Sequence, residues 1–338
     1  MTSASPTRRD RLAVAAEVAD ALALRHPVVA LESTLLSHGL PPGRNLAVAR
    51  RLERAVRDAG AVPATIAVLD GRAMIGLTPA ELDRVCDPDA GLAKLSLRDV
   101  GPALGLGRSG ATTVAGTAAL ADAVGIGVFA TGGLGGVHLP APGEPGTWDV
   151  SADLGVLART PILVVCSGVK SVLDIPATLE VLETHSVPVL GYRTDHFPAF
   201  YRRSSGLPVP LRVDDPGQAA AAVAAHRALA GSGVVLANPI PPEAELDAAL
   251  HDRLLTEGMA LLAERGVRGS AVTPVLLEHF HTASGGASLN ANEELVVANA
   301  RLAAEVAVRG AAMSERVSER FDTAPPGNAA DERGEEGA

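Results

Sequence analysis

Of the 29 lysines and arginines in the chain, only two are lysine: Lys94 and Lys170. Arginine keeps its proton at any working pH, whereas a desolvated lysine can become a neutral amine nucleophile. Lys170 follows the apolar, β-branched run Pro161-Ile162-Leu163-Val164-Val165 by way of Cys166-Ser167-Gly168-Val169. Such a run reads as a buried parallel strand. The next apolar positions, Leu173, Ile175, Leu179 and Leu182, follow a helical pattern. The amine therefore sits where a strand gives way to a helix, the place where open α/β sheets bind ligands. Lys94 lies in the mostly uncharged Gly91-Leu92-Ala93-Lys94-Leu95, which does not resemble a surface segment.

A carboxylate is delivered the same way. The short strand Val28–Leu31 runs straight into Glu32-Ser33-Thr34. Partial desolvation there would raise the pKa of Glu32 towards acid/base use, although a satisfied edge carboxylate is the commoner fate of such a residue. Asp149, Ser151 and Asp153 crowd five residues before the core strand. One aspartate suits a helix cap; the pair also suits a hard cation, Mg²⁺ or Mn²⁺, held by one carboxylate and several waters. His138 closes the glycine-rich Thr131-Gly-Gly-Leu-Gly-Gly-Val-His138 and either caps that loop or meets a ligand.

Two familiar patterns fail. Ser167-Gly-Val-Lys170 matches the S-x-x-K of serine acyl-transferases, but S-D-N is absent and K-T-G cannot occur with lysines only at 94 and 170. Gly105-Leu-Gly-Arg-Ser-Gly110 matches G-x-G-x-x-G and reads as the opening of a helix. Yet Gly101-Pro102 stands where its strand belongs, and Asp122 falls well short of the expected acid about 20 residues on. A phosphate at the N-terminus of the following helix, near Thr112 and Thr113, fits better.

The elements that must position these groups alternate. A helix is expected from about residue 9 to His26, a second over 45–59, a hairpin with its turn at Asp70-Gly71, and a helix capped by Thr78 with Glu81. Helix over 112–124, strand over 126–130, the lysine-bearing unit and a strand over 187–191 follow. Helix over 218–229 and strand over 233–236 lead to three helices ending near Ala312. The pattern is α/β: three layers, α/β/α, around a mostly parallel central sheet, in one domain over residues 9–313. Residues 1–8 read as a leader, and 318–338, rich in Pro, Gly and acids, as a disordered tail.

Composition narrows the partners. A formal net charge of −10 and 2% aromatic residues argue against nucleic acid, while leaving a single nucleotide or sugar phosphate open. No apolar run approaches the roughly 20 residues that span a bilayer. Two cysteines and no secretory h-region point to a reducing, cytoplasmic location.

Longer segments resemble one family, the pseudouridine-5′-phosphate glycosidases, also called pseudouridylate synthases or indigoidine-synthase-A-like proteins. The matching stretches are ALESTLLSHGLP (30–41), GATTVAGT (110–117), FATGGLGGVH (129–138) and DVSADL (149–154). TPILVVCSGVKSVLDIPATLEVLET (160–184), GYRTDHFPAFYRRSSG (191–206), NPIP (238–241) and SLNANEELVVANARLAAEVA (288–307) complete a collinear set. The resemblance implies reversible cleavage of pseudouridine 5′-phosphate to uracil and ribose 5-phosphate. It implies Lys170 as nucleophile at C1′, Glu32 as proton donor, and Mn²⁺ on Asp149. It also implies substrate contacts from Lys94, Val114, Ser151, Ala152 and Asp153, with His138 and Asn292 helping to hold sugar and base, and a homotrimer. Thr113, beside Val114, is a further candidate for substrate binding. One departure is a prolyl loop, Leu139 to Gly146, where the family usually carries an arginine and a short acidic turn. The residues alone also leave open a Schiff-base lyase or aldolase on another sugar phosphate, or a non-catalytic sugar-phosphate-binding protein.

Overall fold

The β-branched runs become parallel strands stacked between helices. The structure, a computed structural model, describes residues 11–139, 148–267 and 272–322. In chain order β1 (Leu12–Val14) and α1 (Ala16–Ala23) precede β2 (Val28–Leu31), a π turn at Leu35–Gly39 and α2 (Arg44–Asp58). Then come β3 (Val62–Leu69), β4 (Arg72–Ile75), α3 (Pro79–Cys86), β5 (Ala93–Leu95), α4 (Leu97–Gly105), β6 (Gly110–Thr112) and α5 (Val114–Asp122). The middle holds β7 (Val128–Ala130), β8 (Val137–His138), α6 (Ala152–Leu157), β9 (Leu163–Cys166), β10 (Leu173–Asp174) and α7 (Ile175–Thr184). The rest is β11 (Val189–Tyr192), β12 (Leu211–Val213), α8 (Pro216–Leu229), β13 (Val234–Ala237), α9 (Ala248–Arg265), α10 (Val272–Ala283) and α11 (Ala287–Asp322).

The main sheet has the order β1-β4-β3-β2-β7-β9-β13-β11-β12, with β6 on β3 and β5 on β6. From β3 to β12 every pairing is parallel. β3 does double duty: residues 62–65 pair with β2, and residues 66–69 pair antiparallel with β4. β9 and β13 are buried along their whole length, as strands covered on both faces must be. The chain leaves β2 in one direction, to β3, and leaves β7 in the other, to β9. The strand order therefore reverses between β2 and β7, and a crevice at their carboxyl ends is the expected binding site.

The structure corrects several local expectations. The first helix begins only at Ala16, because Leu12–Val14 adds a strand beside β4. Gly105-to-Gly110 does not open a helix: Gly105 closes α4 and Gly110 opens β6. The helix expected from Thr112 starts at Val114, and Thr112 is instead buried, its hydroxyl donating to Ile66 O at 2.8 Å. That excludes Thr112 from any phosphate contact and leaves Thr113. Leu173 belongs to β10, antiparallel to β8, rather than to the helix. The arginines of α2 lie on its exposed side, and two of them, Arg44 and Arg51, also pair with Glu293 and Glu294 of α11. The last helix runs on through Ser318 to Asp322. The leader, the prolyl loop after Leu139 and the tail after Asp322 lie outside the described residues.

Candidate active site

Past the ends of β7 and β9 the two backbones stay zipped together. Thr131 N–H donates to Val165 O (3.0 Å), Ser167 N–H to Gly132 O (2.8 Å), Leu134 N–H to Gly168 O (2.9 Å) and Lys170 N–H to Leu134 O (3.2 Å). The glycine-rich loop is thus the rail along which Lys170 is set. Gly168 makes the turn possible: its φ is +82°, and a Cβ there would collide with the Pro198 carbonyl oxygen. Gly168→Ala should therefore cost stability by at least the ~1–3 kcal/mol of a strained backbone. Urea unfolding reads that loss, and turnover should fall with it; an alanine variant of wild-type stability would remove the strain argument. Phe200, also at positive φ (58°), is tied by its N–H to Ser167 O at 2.9 Å, and its ring fills the space that Gly133 leaves.

Several titratable groups meet above these strand ends. Glu32 follows β2 directly, and the Thr131 hydroxyl donates to its Oε1. Burial raises the Glu32 pKa most; Lys170, the Thr131 bond and Lys94 pull it down, while Asp153 pushes it up. Lys94 reaches in from β5, its pKa lowered first by burial and then by Lys170. His38, on the π turn, is pushed down by burial and by Lys94. His138 is pushed down by burial, against the pull of Asp149, whose Oδ2 lies 3.8 Å from its Nδ1. Both histidines are therefore biased towards the neutral form. By contrast, Cys166 is fully buried and its thiol is pushed up to about 12, which makes it inert packing.

Asp153 is a splint. Its Oδ1 accepts from Ala115 N–H and its Oδ2 from Gly135 N–H, both at 2.9 Å, so one carboxylate ties the first turn of α5 to the glycine loop. The helix cap that the sequence suggested for an aspartate is supplied by Ser151, which accepts from Asp153 N–H at 3.2 Å. Thr113 caps α5 and is itself fixed by its N–H to Leu95 O (3.0 Å), so β5 positions both Lys94 and this cap.

The cavity has two lobes that share Glu32, Thr34, Lys94 and Lys170. One, of ≈ 340 Å³, is polar and carries charges of both signs, with Ser96, Arg98, Thr113, Val114, His138, Asp149, Ser151, Ala152 and Asp153. The other, of ≈ 360 Å³, is lined mainly by Leu35, Gly39, Gly132, Gly133, Phe200, Pro274 and Leu277, with His38 and Asn292. Asn292 is buried, and its Oδ1 has no hydrogen-bond partner, an acceptor left open on this lobe. Thr112 apart, the eleven candidate site residues taken from the sequence all line one lobe or both. Sequence reasoning missed Thr34, Ser96, Arg98, His38 and Phe200. It also missed Thr131, although that residue lies in the FATGG stretch directly after β7.

The family model described as indigoidine synthase A like protein matches residues 17–309. A pseudouridine-5′-phosphate glycosidase from Salinispora tropica is 56% identical over 286 residues, covering 84% of this chain and 87% of the relative. One from Streptomyces griseus is 54% identical over 288 residues, covering 85% and 88%. Among solved structures, the prealnumycin C-glycosynthase, in complex with ribulose 5-phosphate, is 42% identical with a TM-score of 0.83, covering 92% of this chain and 100% of that one. An indigoidine synthase A-like protein from Thermotoga maritima is 35% identical with a TM-score of 0.77, covering 84% and 93%. The chain belongs to the indigoidine synthase A like protein family.

Proposed function

We propose that this chain reversibly cleaves the carbon–carbon glycosidic bond of pseudouridine 5′-phosphate, giving uracil and ribose 5-phosphate. The relatives' names support the reaction. The observation that carries it is that both lysines and a carboxyl of raised pKa stand where a polar lobe meets an apolar one. A sugar phosphate suits the first lobe and a planar base the second, which sets the bond between them at Lys170 and Glu32.

The chemistry explains the residue types. Uracil leaves from carbon, so no heteroatom can be protonated and the paired carboxylates of ordinary glycosidases have nothing to act on. The Lys170 amine instead displaces the ring oxygen from C1′, its proton passing to that oxygen, to give an open-chain secondary amine that still carries the base. The nitrogen lone pair forms the iminium only as the bond from C1′ to the base breaks. Glu32 then delivers its proton to the departing carbon of the base, and water releases ribose 5-phosphate from Lys170. In the reverse direction Glu32 takes the proton back. Lys94 adds charge on the sugar side, Thr113, Val114, Ser151 and Ala152 shape the phosphate lobe, and Asp153 keeps it assembled. His138 contacts the sugar, and the Asn292 Oδ1 accepts from a base N–H.

Mn²⁺ is proposed at Asp149. The donor set suits a hard ion that keeps its waters: Asp149 is one carboxylate, 40% exposed, at the polar lobe. Among the described residues no three His, Cys, Asp or Glu gather as a zinc site would need. Bound there, the ion would supply positive charge beside the sugar phosphate. Chelation is expected to cut activity, with Mn²⁺ restoring it better than Zn²⁺. Asp149→Ala should blunt that response while borohydride still traps ribose 5-phosphate on Lys170. Metal that survives exhaustive chelation, or a rate indifferent to chelator, would discard the assignment.

We also infer one catalytic domain over 9–313, acting as a cytoplasmic homotrimer; sedimentation at the trimer mass tests the assembly. Among the described residues no helix is long and apolar enough to cross a membrane. The deciding experiment for function is uracil-dependent consumption of ribose 5-phosphate. Borohydride trapping without uracil dependence would favour a Schiff-base lyase or aldolase, and no trapping would favour a binding protein.

A further inference from the structure

One side chain of α11, Asn299, is fully buried among the carboxyl ends of three core strands. Its Nδ2 donates to Thr131 O (2.9 Å), to Gly132 O (3.4 Å) and to Ser167 Oγ (3.1 Å). Its Oδ1 accepts from Asn238 Nδ2 at 2.9 Å. Thr131 and Gly132 follow β7, Ser167 follows β9, and Asn238 follows β13. Asn299 does not line either lobe of the cavity. A carboxamide suits this place because it donates towards the carbonyls and accepts on its other side. An apolar side chain would leave buried acceptors unmet, and an aspartate would turn an oxygen towards two carbonyls.

The anchored backbone has a second function. Thr131 is the residue whose hydroxyl donates to Glu32. We propose that Asn299 is a positioning residue, which sets the Thr131 hydroxyl and through it the Glu32 carboxyl against the reacting carbon, from outside the cavity. This rests on Glu32 being the proton donor.

The geometry gives the test its sign. Glu32 faces Lys170, Lys94 and Asp153 as well as Thr131, and the Thr131 bond favours the ionised carboxylate. Loosening that bond while the three charges stay in place lets burial push the Glu32 pKa higher. The acid then stays protonated to higher pH, so the alkaline limb of kcat for cleavage moves up.

Asn299→Ala, checked for folding by circular dichroism, should lower kcat roughly ten- to a hundred-fold. KM for pseudouridine 5′-phosphate should stay nearly unchanged, and the alkaline limb should move upward. In a Thr131→Val background the same substitution should add no further shift, because the link it acts through is already gone. An unmoved limb in folded Asn299→Ala, or a further shift in the double variant, overturns the proposal. If Asn299→Ala does not fold, Asn238→Ala removes only the donor that orients the amide. It must then show the same shift in smaller measure, and no shift overturns the proposal. Glu32→Gln is the control: should it retain the alkaline limb, the assignment of Glu32 fails. Should it abolish the limb while Asn299 variants leave it in place, only the positioning role fails.

Discussion

Lys170→Arg is expected to be as inactive as Lys170→Ala, with turnover down by roughly four orders of magnitude or more, the scale of losing a covalent nucleophile. Both variants should fold. The backbone at this position is held by Lys170 N–H to Leu134 O and by Leu173 N–H to Lys170 O, and neither bond involves the side chain. Arginine would keep a positive charge between the two lobes and much of the stem's volume. It cannot shed a proton and form an imine with C1′. The comparison therefore separates charge from covalency at one position. Incubation with ribose 5-phosphate and borohydride should add a reduced sugar-phosphate mass to the wild-type chain, mapping to the peptide that carries Lys170. Lys94→Arg should still give that adduct at Lys170, because Lys94 contributes charge on the sugar side. Substantial turnover in the Lys170→Arg variant, or an adduct on Lys94, would remove Lys170 as the covalent catalyst.

Much of this was legible in the chain because it is written locally. The strand Val28–Leu31 lies where its β-branched run put it. The Asp70-Gly71 turn has both residues at positive φ (49° and 74°), which is why that dipeptide suits a tight hairpin. Thr78 and Glu81 form their capping box. The scarcity of lysine pointed at two residues that do line one cavity, since nothing else explained why arginine was avoided there. What stayed hidden was set by distant partners. β5 and β6 are three-residue strands with no period of their own; β6 exists because it pairs with the upper half of β3, and β5 because it pairs with β6. The glycine-rich 105–110 stretch has the spacing of a phosphate loop, but it only links a helix end to one of those strands. Asp153 reads as a cap or a cation ligand, and nothing in the sequence signals that its carboxylate accepts from the amides of Ala115 and Gly135. The contribution of α11 comes from far along the chain, and no local pattern announces which face of a long helix meets three strand ends.

Glu32→Gln is expected to bind pseudouridine 5′-phosphate within a few-fold of wild type and to lose turnover by roughly 10²–10⁴-fold, the usual worth of a positioned acid. The amide has the same shape, and its oxygen can still accept from Thr131, so the site should stay assembled; it has no proton to give to carbon. Because burial raises the Glu32 pKa, its protonated form persists above the ordinary carboxylate range. Cleavage needs the protonated form, so kcat for cleavage should fall as pH rises through that raised pKa. Synthesis from uracil and ribose 5-phosphate needs the ionised form, so its kcat should fall as pH drops through the same region. The opposed limbs should both vanish in Glu32→Gln, while borohydride trapping of ribose 5-phosphate on Lys170 continues. That persistence sets the loss of a proton donor apart from a collapsed site. A drop of only a few-fold, or limbs of unchanged position in the glutamine variant, would make Glu32 a structural carboxylate and place the acid elsewhere in the cavity.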